Sequence, residues 1–221
     1  MWWCTVEDRA EGNPDGQSQE QGHFWLNCER PWSNRSLGGR VLTITDLPGD
    51  VTLTQGFRAT VGKPKHQEKI LRVLRDERDP DVIACANARG TYEKAVRAIV
   101  SRLSWKDFEL LINIVLDRSG WVRLSRVGGT MKSIDLDVAN WVIAERAFVQ
   151  VKSTAGQREL ESSIDNFQRS PQYNRMIFAT HTPEGKLKTP SDPSVHVWQA
   201  EQIADLVVRL GLGEWVENRL A

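Results

Sequence analysis

The feature that most limits how this chain folds is a pair of short alternating segments, Ile134-Asp135-Leu136-Asp137-Val138 and Phe148-Val149-Gln150-Val151-Lys152. Alternation with a period of two is the mark of a half-buried strand. In the first segment Ile134, Leu136 and Val138 take one face, and Asp135 and Asp137 the other. In the second, Val149 and Val151 share a face, and Gln150 and Lys152 the opposite one. If the two strands pair, carboxylates from one and a Gln/Lys pair from the other meet on a single polar patch. Divalent metal binding beside a phosphate needs such a set: hard oxygen ligands with a cation next to them.

The surrounding pattern places this patch in an α/β layer. Ser104 reads as the cap of a helix running to about Ser119, with Asp107 favoured by the helix dipole and Gly120 just past the end. Its core side includes Trp105, Phe108, Ile112, Val115 and Leu116. Glu109 shares that side, where a carboxylate is costly unless a cation, a metal or water meets it. Trp121 to Val127 alternates as a strand, Gly128-Gly129 is a turn, and the second strand of the patch follows a turn near Ala144-Glu145-Arg146. A helix over Gln157 to Arg169, strands at Arg175–Thr180 and Val195–Trp198, and helices over Glu201–Leu210 and Glu214–Leu220 complete the chain. From residue 104 the order is α-β-β-β-α-β-β-α, a mixed sheet with helices on both sides.

Upstream the character differs. Residues 6–22 are polar with a turn at Asn13-Pro14-Asp15-Gly16. Residues 23–62 carry four short β-rich stretches: His23–Asn27, Arg40–Thr45, Val51–Thr54 and Phe57–Val61. Leu47-Pro48-Gly49-Asp50 reads as a turn. Helices follow over Gln67–Arg78 and Asp81–Leu103, broken by Asp79-Pro80. The expected division is a β-rich region over 1–62, a helical connector over 63–103 and an α/β domain over 104–221. Trp25, Trp32 and Phe57 can stack on an unpaired base or fill a small core; the core role is the commoner one for such residues.

Whole-chain numbers narrow the classes. The 221 residues are 40% hydrophobic and 26% charged, which suits packed globular structure. Net charge is zero, so nucleic-acid contact must come from local patches. One such patch is Arg118 to Lys132, with four basic residues and no acidic one. Arg123, Arg126 and Lys132 are its candidates for DNA contact. Another runs from Arg58 to Arg78, seven basic against three acidic residues, a pattern also typical of a solvated helix face. Cys4, Cys28 and Cys85 form no CxxC pair, so neither a zinc site nor a disulfide framework is expected, and a cytoplasmic location is. No apolar run reaches membrane-spanning length.

The run Trp105-Lys106-Asp107-Phe108-Glu109-Leu110-Leu111, then Gly120-Trp121-Val122, Gly128-Gly129, Ile134-Asp135-Leu136, Phe148-Val149-Gln150-Val151-Lys152 and Val197-Trp198-Gln199-Ala200-Glu201-Gln202-Ile203-Ala204-Asp205-Leu206 resembles the catalytic domain of Mrr-type restriction endonucleases. These are a branch of the PD-(D/E)XK nucleases. The resemblance covers residues 104–212. It implies a restriction-endonuclease-like fold and Mg²⁺-dependent (or Mn²⁺-dependent) hydrolysis of double-stranded DNA, in defence against foreign or modified DNA. It implies Asp135 as the metal-binding aspartate, Gln150 in place of the usual acidic ligand, Lys152 as the catalytic lysine and Glu109 as the helix carboxylate completing the site. Thr130-Met131-Lys132-Ser133 departs from the glycine or extra acidic residue often found before the aspartate, and Asp137 offers a competing carboxylate. The resemblance also implies a homodimer, for which Trp215, Val216 and Leu220 offer a surface. Alternatives are an inactive DNA-binding module of the same fold, a structure-specific repair or junction nuclease, and a toxin-like protein of unknown target.

Overall fold

The computed structural model describes residues 1–6, 28–53, 66–124 and 135–221. It divides into two compact units, Met1–Ala86 and Asn87–Ala221. The boundary falls inside the helix Pro80–Val100.

In the N-terminal unit, Trp3 and Ser33 exchange backbone hydrogen bonds of 2.9 and 2.8 Å, and single bridges link Val6 to Cys28 and Arg35 to Val41. Two of the four β-rich stretches, His23–Asn27 and Phe57–Val61, lie outside the described residues. The other two depart from expectation. Arg40–Thr45 makes only the bridge at Val41 before a 3-10 turn over Ile44–Asp46. Val51–Thr54 enters a one-turn helix, α1 (Gly49–Thr52). Pro48, fixed near φ −55°, accepts from the Val51 N–H at 2.9 Å, so the Pro-Gly-Asp turn winds into a helix and overrides the β-branched side chains. Trp25 and Phe57 also fall outside the described residues, and Trp32 is 62% exposed, so it is not core. Helix α2 (Gln67–Arg75) ends on Asp76, which takes a left-handed conformation at φ 57°. Lys69 and Arg72 of the basic run pair with Asp50 and Asp79.

Pro80 opens α3 (Pro80–Val100), where its missing N–H costs nothing. Gly90 sits within it without a break. The C-terminal unit then follows the expected order closely. It contains α4 (Trp105–Arg118), β1 (Val122–Arg123), β2 (Leu136–Asn140), β3 (Glu145–Ala155), α5 (Gln157–Gln168), β4 (Arg175–Pro183), β5 (Val195–Trp198), α6 (Ala200–Arg209) and α7 (Gly213–Glu217). The sheet runs β1-β2-β3-β4-β5. β1, β2 and β3 are antiparallel, while β3, β4 and β5 are parallel.

Each face of the sheet has its own core. Leu136, Val138, Val149, Val151, Ile177 and Ala179 meet Phe108, Leu111, Ile112, Val115 and Leu116 of α4 and Ile203, Ala204 and Val207 of α6. Phe148, Met176, Phe178 and Val195 meet Leu160 and Phe167 of α5. Ser104 caps α4 as expected, its hydroxyl accepting from the Asp107 N–H at 3.2 Å. Gly120 just beyond the helix is left-handed at φ 84°. One side chain of the expected helix stripe differs, Trp105 being 63% exposed, and Leu111, outside that stripe, is fully buried. Val216 is also fully buried in its own unit and so is not free for a partner.

Candidate active site

The site begins with unequal strand lengths. β3 runs on to Ala155, but its ladder with β2 ends at Leu136 opposite Val149. The Asp135 N–H still reaches the Val149 carbonyl, at 3.3 Å. Beyond that point the Asp135 carboxylate takes the Val151 N–H, Oδ2 accepting at 2.7 Å. A buried backbone N–H needs an acceptor, so this bond fixes the carboxylate over the end of the ladder.

Two side chains of β3 meet the same oxygen. Gln150 is buried, and its Nε2 donates to Asp135 Oδ2 at 2.5 Å. The Lys152 Nζ stands 3.8 Å from that oxygen. All three partners meet at Oδ2. Exposure rises outward, from the buried Gln150 amide to the Asp135 side chain at 28% and Lys152 at 44%. The set is thus anchored in the sheet and open to solvent at its charged end. Alternation also puts Phe148 on this face, at the edge of the α5 core.

Asp137 shares the face but has another task. It is buried, and Arg146 clasps it with two hydrogen bonds, one of 2.8 Å from Nε and one from the second guanidinium nitrogen. The Arg146 guanidinium lies 5.1 Å over the Tyr173 ring. Both Asp137 oxygens are thereby engaged by Arg146. Sequence reasoning missed Arg146 because it placed that residue in the turn. The turn falls two to three residues earlier, at Trp141–Ala144, with the Asn140 side-chain oxygen accepting from the Val142 N–H at 3.1 Å.

Glu109 is placed differently. Its Oε1 lies 4.0 Å from an Arg123 nitrogen, and it shares no hydrogen bond or ion pair with Asp135, Gln150 or Lys152. Arg123 is the described member of the proposed DNA-contacting trio; Arg126 and Lys132 lie outside the described residues, as does Ile134. Arg118 donates to the Leu210 carbonyl at 2.6 Å.

Among the described residues no group of three or more His, Cys, Asp or Glu side chains is arranged to hold a metal ion. The oxygens that Asp135, Gln150 and Val151 offer are of another kind: one carboxylate, one amide carbonyl and one main-chain carbonyl on the same edge as the bound N–H. Mg²⁺ accepts one or two carboxylates and retains several waters, so this set fits it. The residues of the α6 end form a separate cavity of about 160 Å³, lined by Arg97, His181, Gln199 and Glu201 and by none of the three site residues.

His181 was not anticipated. It is buried, its ring meets Phe108 edge-on at 4.5 Å, and its Nδ1 is 2.9 Å from the Thr182 hydroxyl. Burial pushes its imidazole below the ordinary value, against a smaller opposing pull from the Leu103 backbone. Nothing in its sequence neighbourhood signals this.

No helix among the described residues is long and apolar enough to cross a membrane. No protein-family model matches the chain, and no curated protein matches it.

Proposed function

We propose that this chain is a Mg²⁺-dependent DNA endonuclease of the restriction-endonuclease-like class, acting in defence against foreign or modified DNA. The observation that carries the reading is the meeting of Asp135, Gln150 and Lys152 at one carboxylate oxygen, at a strand end open to solvent. The α-β-β-β-α-β-β-α order of the unit agrees with the Mrr-type resemblance.

Asp135 would hold the cation with its carboxylate. Gln150 would join it through Oε1 once its amide turns over. The Gln150 amide already stands 2.5 Å from Asp135 Oδ2, so the two side chains would hold one ion together. The amide end facing the aspartate is set by charge: without a cation, N–H faces carboxylate. Val151 adds its carbonyl. When bound, the ion draws charge from the scissile phosphate and acidifies the attacking water. Lys152 places an ammonium where negative charge grows on the phosphoryl oxygens, and holds the water in line with the leaving 3′-oxygen. The water oxygen would bond to phosphorus and lose its proton to solvent, while the P–O3′ bond breaks and the leaving 3′-oxygen takes a proton from solvent, leaving a 5′-phosphate and a 3′-hydroxyl. Arg123, paired with Glu109, would contact the DNA backbone. A cut through both strands requires two such centres, hence a second copy.

Purified full-length chain with Mg²⁺ and plasmids of differing methylation tests this. Nicked or linear product from the wild type, absent with Asp135→Asn and formed about 10²–10³-fold more slowly with Lys152→Ala, supports the reading. DNA binding with no cleavage of any substrate overturns it in favour of an inactive binding module. Branched DNA cut far faster than linear duplex would move the function to repair or junction resolution.

A further inference from the structure

The N-terminal unit holds a feature that the spacing of its cysteines hid. Cys4 and Cys28 are 24 residues apart, yet their Sγ atoms stand 3.2 Å from each other, in a thiol–thiol hydrogen bond. Backbone pairing brings them together. Val6 bridges Cys28 in antiparallel register, and the Glu29 N–H donates to the Thr5 carbonyl at 2.9 Å. Further along, Trp3 and Ser33 exchange two backbone bonds, and the Trp3 indole N–H donates to the Arg35 carbonyl at 2.6 Å. Cys4 lies two residues before Val6, so its side chain leaves the strand on the Val6 face, the face Cys28 shares. Cys28 is exposed and Cys4 is half-buried, so a soluble oxidant reaches the pair. Cys85, the third cysteine, has no thiol partner among the described residues.

We propose that Cys4 and Cys28 are a reversible oxidation site, closing to a disulfide that loops residues 5–27. A low-molecular-weight disulfide such as oxidised glutathione is the oxidant. One cysteine thiolate attacks it, releasing one glutathione thiolate and leaving a mixed disulfide. The second cysteine then attacks the protein sulfur of that mixed disulfide and releases the second glutathione. One protein S–S bond forms, two thiol protons pass to the glutathione thiolates, and the two electrons leave with them. The sulfurs need to close by only about 1.2 Å to reach the ~2.05 Å bond.

The test treats the native full-length chain with oxidised glutathione, followed by intact mass and a non-reducing peptide map. The expected result is loss of two hydrogens, a Cys4–Cys28 linked peptide, Cys85 free, and reversal by dithiothreitol. Cys4→Ser and Cys28→Ser each abolish the two-hydrogen loss and the linked peptide, leaving the remaining cysteine at the glutathione adduct. In urea-unfolded chain the same treatment spreads linkage over all three pairings. Stable glutathione adducts without a crosslink, or a native crosslink involving Cys85, would overturn the proposal.

Discussion

Replacing Arg146 separates the structural from the catalytic aspartate. The Asp137 side chain is 7% exposed and that of Arg146 is 38% exposed. Removing one partner of a buried pair costs about 3–5 kcal/mol, because the other charge stays behind without compensation. Here Arg146 is more than a third exposed, so water enters the vacated space and the cost falls to about 2–3 kcal/mol, with the lost stacking on Tyr173 included. At about 1.4 kcal/mol per tenfold, that is a 30- to 150-fold loss of protection. Hydrogen exchange of the β2–β3 amides in Arg146→Ala reads it within the C-terminal unit, without assuming that both units unfold together. A companion pair, Arg146→Met with Asp137→Leu, recovers most of the loss, since an apolar pair carries no desolvation cost. A change under about threefold in Arg146→Ala, near the ~0.5 kcal/mol of an ordinary surface substitution, would refute the structural role assigned to Asp137.

Other outcomes follow from the same geometry. Lys152→Ala lowers kcat for plasmid cleavage by about 10²–10³-fold, and Asp135→Asn removes activity, while Asp137→Asn retains it once folded; equal loss at both aspartates would contradict the assignment. His181 is held below its ordinary value of 6.5 by burial. Its unfolded form therefore binds the proton first, and stability present above pH 6.5 declines as pH falls from there. Urea midpoints at several pH values, compared with His181→Phe, isolate that slope. Glu145, held low by Arg175, loses its contribution only in more acidic solution, below the ordinary carboxylate value of 4.5. Phe108→Ala empties a fully buried position and costs about 3–5 kcal/mol in the same melts.

How much the sequence revealed varied along the chain, for physical reasons. The C-terminal unit reads well because its periodicities are strong and local: Ser104 caps, Gly120 terminates, and alternation puts Asp135, Gln150 and Lys152 on one face. Asp137 was harder. Alternation groups it with Asp135, and only the position of the hairpin turn brings Arg146 to close it off. Glu109 lies on the correct helix, but its pairing with Arg123 depends on how α4 meets β1. His181 looks like any residue of an apolar strand until its burial against Phe108 is seen. Upstream, β-branched residues in short stretches mislead, because Pro48 and the hydrogen bonds it receives decide the local winding. The Cys4–Cys28 contact needs pairing across residues 5–27, which spacing rules do not reach.

The most direct test of the catalytic assignment is a crystal of the full-length chain soaked in Mn²⁺ and measured at the manganese absorption edge. The account predicts an anomalous peak bounded by Asp135, by Gln150 turned to present its oxygen, and by the Val151 carbonyl, with metal–oxygen distances near ~2.1–2.2 Å, and no peak in Asp135→Asn. A fully occupied ion elsewhere, with Gln150 still donating to Asp135, would contradict it.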